Sequence, residues 1–124
     1  MELNQYFKSI IDSDSQAVVI CNLNHIIIYM NPAAAKIYAK HGGEKLVGKS
    51  LLDCHQKPSG EIIKDVAAWF AKSINNNYIY TYHNDKDNRD VYMIALRDEN
   101  GNLIGYYEKH ESRNPETMQF YHMK

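Results

Sequence analysis

Cys54 and His55 stand side by side, and a thiol beside an imidazole is a pairing that nucleophilic catalysis uses. Consecutive side chains point in different directions along either a helix or a strand, so adjacency does not give a nucleophile and its base. The sequence has no Gly-x-Ser-x-Gly, no paired acid motif and no His-x-x-x-His spacing. We therefore expect no enzyme, and assign no catalytic and no metal-binding residue. For His55 two readings stand: a histidine capping or hydrogen-bonded near a helix end, and a ligand contact or metal bond. Cys21 and Cys54 form no CxxC and have no second pair, so both read as free thiols.

The more unusual supply of chemistry is ten tyrosines. Tyr80, Tyr82, Tyr92 and Met93 alternate along strand-like segments, and a buried tyrosine hydroxyl needs a partner that a polar ligand could be. Which half faces inward is not written in the sequence. Trp69, alone on an apolar helical face, can stack on a ligand or fill the core. The candidate ligand-binding residues are His55, Trp69, Tyr80, Tyr82 and Met93. His83, His110 and His122 lie near turns or strand ends and read as solvated.

Elements must position these groups. The 124 residues allow one domain, with Lys plus Arg at 14 against 15 Asp plus Glu, interspersed to a net charge of −1. That balance argues against a nucleic-acid partner. No apolar run approaches the roughly 20 residues of a membrane span, and the N-terminus lacks a basic start, so a cytosolic (cytoplasmic) protein with no membrane contact is expected. Leu3, Tyr6, Phe7, Ile10 and Ile11 fall on one stripe of a helix. "QAVVICN" and "HIIIYMN" read as strands joined by a tight hairpin around Leu23 and Asn24. Asn31-Pro32 starts a helix that Gly42-Gly43 ends. A longer helix over residues 59–74 carries Ile62, Ile63, Val66, Trp69, Phe70 and Ile74 on its apolar face. "YIYTYH", "DVYMIALRD" and "LIGYYEKHE" are strands, the last two joined through "ENGN". The tail from Asn114 reads as one loose helical turn with Met118, Phe120 and Tyr121.

The stretch "YMNPAAAKIYAKHGGEKLVGKSLLD" resembles the segment of PAS sensor domains that runs from the second strand through Asn-x-Ala to hydrophobic-hydrophobic-Gly-Lys-Ser. "RDENGNLIGYYEKHES" is similar to that family's closing hairpin. The resemblance covers residues 15–112. It implies an α+β fold: a PAS-like five-stranded antiparallel sheet with helices packed on one face, here with an N-terminal amphipathic helix added. The domain plan is residues 1–14 for that helix and turn, 15–112 for the PAS domain and 113–124 for the tail. Many members carry Asp-x-x-Gly between the first two strands, where this chain has Asn22-Leu23-Asn24-His25.

The "LLDCHQKP" segment resembles a Cys-His-Pro-Pro stretch of bacterial members, which places it at a cavity mouth before the long helix. The reactive-cysteine motif of flavin-binding members is missing around Cys54, so flavin is not expected. Haem-binding members carry their iron ligand on the long helix; residues 59–74 hold no histidine, which leaves haem on His55 as a possible cofactor. The family reading implies a small-molecule ligand between the long helix and the sheet, a homodimer formed through Leu3, Tyr6, Phe7, Ile10 and Ile11, and a separate output protein. Its alternatives are a ligand-free interaction or dimerisation module, and a haem-based redox or gas sensor using His55.

Overall fold

Asn31 ties the first half of the chain together. The computed structural model describes residues 3–54 and 57–121, and in it helix α1 (Leu3–Ser13), strand β1 (Val18–Asn22), strand β2 (Ile27–Met30) and helix α2 (Pro32–Ile37) meet at this side chain. Its Oδ1 accepts the N–H groups of Ala34 and Val18, each at 2.9 Å. Its Nδ2 donates to the carbonyls of Ile11 and Gln16, again at 2.9 Å. The expected helix cap is thus also a clamp, and full use of both amide ends is what lets an asparagine be completely buried.

Short 3₁₀ turns over Ala39–His41, Gly43–Leu46 and Leu51–Cys54 lead to α3 (Lys57–Lys72), followed by β3 (Tyr78–Asn84), β4 (Arg89–Arg97) and β5 (Leu103–Ser112). The strands form one antiparallel sheet in the order β2-β1-β5-β4-β3. β5 therefore runs through the middle. One face, here the inner face, carries Val19, Cys21, Met93 and Tyr106, which pack with Ile63, Val66 and Phe70 of α3 and with Ala34, Leu46 and Leu51. α3 ends at Lys72, before the expected 74, and Arg97 of β4 closes that end by donating to the Phe70 carbonyl at 2.8 Å and the Ser73 carbonyl at 3.0 Å.

The β1–β2 connection is longer than the tight hairpin expected. Asn22 donates its N–H to the Ile26 carbonyl and accepts from the His25 N–H, both at 3.0 Å, while its side chain takes the N–H groups of Asn24 and Ile26. Asp98 does the same in the β4–β5 connection, binding Asn102 and Gly101 through its backbone and Asn100 and Asn102 through its carboxylate. Both loops are a type I turn followed by a left-handed residue: Gly101 at φ 84° in one, His25 at φ 64° in the other. His25 adopts the conformation that glycine provides more cheaply.

The described part of the tail forms no helical turn, and Met118, Phe120 and Tyr121 are exposed. No described helix is long and apolar enough to cross a membrane.

Candidate functional site

Along β5 the residues Tyr106, Glu108 and His110 alternate onto the inner face, opposite Ala95, Met93 and Val91 of β4. Because β5 is central, its polar side chains are enclosed: Glu108 and His110 are each 2% exposed. Glu108 Oε1 accepts from the Tyr38 hydroxyl at 3.0 Å and stands 2.9 Å from His110 Nε2. The Tyr38 and His110 rings meet edge to face with centroids 6.3 Å apart. A buried carboxylate needs such partners, since removing one from an enclosed ion pair costs about 3–5 kcal/mol. Tyr82 joins the cluster: burial, then the Glu108 charge, push its hydroxyl above the usual phenol range. Ser59, Ile62 and Ile63 of α3 face Thr81, Tyr82, Met93 and Glu108 across a cavity of about 10 Å³, roughly the room of one water.

Further along the same face, the Tyr106 hydroxyl lies 2.7 Å from His25 Nδ1 and interacts with the Cys21 thiol. Burial first, then Cys21 and Glu108, hold that hydroxyl far above its ordinary range.

The expected ligand residues separate. Tyr82 and Met93 line the small cavity. Tyr80 does not: a β-bulge between Tyr80 and Tyr82 breaks the alternation that would have kept both tyrosines on one face. Tyr80 lies on the outer face, where it stacks on Tyr92 at 5.3 Å and donates to Asp90 at 2.7 Å. Hydrogen bonds from Tyr80, Arg113 and His83 hold the Asp90 carboxyl well below the usual range. Trp69 is half-buried at the margin of the core beside Phe70, 5.7 Å between ring centroids. His55 and His122 lie outside the described residues.

His110, expected to be solvated, is buried, because the end of β5 remains paired between β4 and the chain at Ala17, whose carbonyl takes the His110 N–H at 3.0 Å. Glu108 and His110 carried no signal of their burial: alternation puts Tyr107, Lys109 and Glu111 on one face and Tyr106, Glu108 and His110 on the other, and neither set is apolar. Among the described residues no cluster of His, Cys, Asp and Glu has the geometry of a metal site. The cavity that described residues line between α3 and the sheet, about 10 Å³, is far smaller than the several hundred Å³ that a haem or flavin needs.

The outer face differs in kind. α1 has no fully buried residue; Leu3, Phe7 and Ile10 are 63%, 54% and 67% exposed. Ile10 and Ile11 border a groove of about 320 Å³ with Val18, Ile20, Leu96 and Tyr107 of the sheet. The end of α1 is anchored by Asp12, which binds the Tyr29 hydroxyl and Lys8.

No protein-family model and no curated protein matches the sequence. Solved structures do match in shape. The PAS domain of a protein from Colwellia psychrerythraea is similar with a TM-score of 0.67 at 14% identity, over 90% of this chain and 97% of that one. The PAS domain of Bordetella pertussis BvgS is similar with a TM-score of 0.59 at 11% identity, over 91% of this chain and 88% of that one. A sensory box sensor histidine kinase from Vibrio cholerae is similar with a TM-score of 0.55 at 16% identity, over 88% and 90%. At such identities the likeness speaks for architecture, over about nine-tenths of the chain: it is a domain of the PAS fold.

Proposed function

We propose that this chain is a sensory and signalling module that binds a small molecule between α3 and the inner face of the sheet, and passes occupancy on through a second copy of itself and a separate output protein. It binds and does not transform its ligand. The observation that carries this reading is the enclosed Tyr38-Glu108-His110 cluster, a costly arrangement in a core that apolar side chains would fill more stably. The mechanism is population shift: a ligand that prefers one packing of α3 on the sheet biases the whole domain toward it. The test is denaturing mass spectrometry of the purified protein together with a thermal-shift screen of small metabolites. A co-purifying or stabilising compound whose effect is lost in Met93→Trp, which fills the cavity, supports the reading; a protein that carries nothing and responds to nothing overturns it.

A second reading, association without a ligand, is favoured by the small cavity and by the uncovered apolar stripe of α1. Both readings place the partner copy on the same surface, the outer sheet face with α1.

A further inference from the structure

Two buried side-chain nitrogens have no hydrogen-bond partner among the described residues: Arg89 Nε and His110 Nδ1. They are not scattered. Arg89 pairs with Ser112 and Val91 with His110, so Arg89 and His110 occupy diagonal positions on adjacent strands of the inner face, a separation that long side chains bridge. Tyr82 lies directly across from Val91 and feels both the Arg89 and the Glu108 charges. We propose that Arg89 and His110 form the head-group subsite for an aliphatic carboxylic acid, whose carboxylate accepts from Arg89 Nε–H and from His110 Nδ1–H while its chain runs along Ile62, Ile63 and Met93. This deepens the ligand reading given above and rests on it.

The chemistry fits a monoanion. Glu108 already occupies His110 Nε2 at 2.9 Å, so Nδ1 is the ring nitrogen left to meet a ligand, and it donates when it carries the ring's second proton. Asp87 reaches a different guanidinium nitrogen, Nη2, at 3.3 Å, and leaves Nε unused. Glu108 already faces the His110 ring and Asp87 the Arg89 guanidinium, so a monocarboxylate adds one negative charge beside them where a phosphate dianion would add two. Buried donors left unpaired are costly, so an acceptor that reaches both is recognised by its head group. Ile62, Ile63 and Met93 border the cavity of about 10 Å³, and α3 must shift outward for a chain of several methylenes to enter, which is the movement a sensor requires.

The experiment is a calorimetric and thermal-shift titration with the straight-chain acids from butanoate to decanoate, each beside its alcohol and its primary amide. It is repeated on Arg89→Gln, with nitrogen-15 spectra of the arginine Nε–H and histidine ring signals. The expected result is binding of one or more acids, binding at least tenfold weaker for the matching alcohols and amides and for Arg89→Gln, and movement of the Arg89 and His110 signals on titration. Equal binding of acids, alcohols and amides would leave the ligand cavity standing and remove the carboxylate subsite. Response to none of the series would overturn the subsite, and the metabolite screen would then decide the broader reading independently.

Discussion

His25 Nδ1 lies 2.7 Å from the hydroxyl of Tyr106, joining a left-handed turn residue at φ 64° to the central strand of the sheet. The turn would be easier to form with glycine, and the ring contact gives a reason for a side chain there. The two effects can be separated. His25→Ala keeps the Cβ that makes this φ unfavourable and loses the contact to a buried hydroxyl, for an expected loss of about 1–3 kcal/mol. His25→Gly loses the same contact but relieves the backbone, so it should be less destabilised than His25→Ala by about 1 kcal/mol. Urea unfolding of the three proteins measures the difference, and equal stability of the alanine and glycine variants would contradict this account of the turn.

The same histidine sets a pH dependence. Burial, then the Lys64 charge, push His25 below the ordinary imidazole range. Its folded value is thus lower than its unfolded one, the folded protein binds fewer protons between the two, and stability rises with pH through that window. The contribution is complete above about pH 6.5 and is lost as pH falls through the folded value. Asp12 and Asp90, whose carboxyls are also depressed, act only at more acidic pH. Melting temperatures between pH 8 and pH 5 should fall for the wild type and fall less for His25→Asn, which tolerates the left-handed turn and does not titrate. Parallel curves for the two proteins would assign the loss elsewhere.

Much of this architecture is legible in the sequence because it is written in local chemistry. Asn31-Pro32 announces a capped helix, and the β-branched and aromatic alternation marks all five strands to within a residue or two. The site is less legible. Tyr80 and Tyr82 separate only because Thr81 is accommodated in a bulge, an event that alternation does not foretell. Glu108 and His110 become a buried pair only through strand order, which makes β5 central. Sequence pattern reports what one segment prefers, whereas burial here depends on which strands flank it.

Glycine positions give a pair of predictions of opposite sign. A Cβ at Gly105 of β5 would stand 2.2 Å from the Cys21 carbonyl oxygen and 3.3 Å from Asn22 Cα, both backbone atoms of the neighbouring strand. Gly105→Ala must push β1 away and is expected to cost about 3 kcal/mol, roughly 10 °C in Tm for a domain of this size. At Gly60 in α3 a Cβ would meet, among the described residues, only the Leu52 side chain at 3.9 Å, an ordinary contact. Gly60→Ala should therefore stabilise by about 0.5–1 kcal/mol through helix propensity alone. Thermal unfolding of both variants checks the pair, and a Gly105→Ala protein as stable as the wild type would show that the strands are not in this close approach.

The stripe on α1 makes the last prediction. Leu3, Tyr6, Phe7 and Ile10 are exposed on a helix with no fully buried residue, beside a groove that the sheet lines with Val18, Ile20, Leu96, Tyr107 and Lys109. Asp12, Lys8 over the Tyr29 ring and the Asn31 bond to the Ile11 carbonyl hold the helix, while its exposed apolar face stays available to a second copy. Phe7→Asp or Ile10→Asp should weaken self-association at least tenfold in sedimentation equilibrium. The same changes should leave the unfolding free energy of dilute protein within about 0.5 kcal/mol of wild type, because an exposed side chain contributes little to the monomer. A wild type that stays monomeric at high concentration would remove association through this face, and a variant that lost stability in proportion to association would show that α1 belongs to the domain's own core instead.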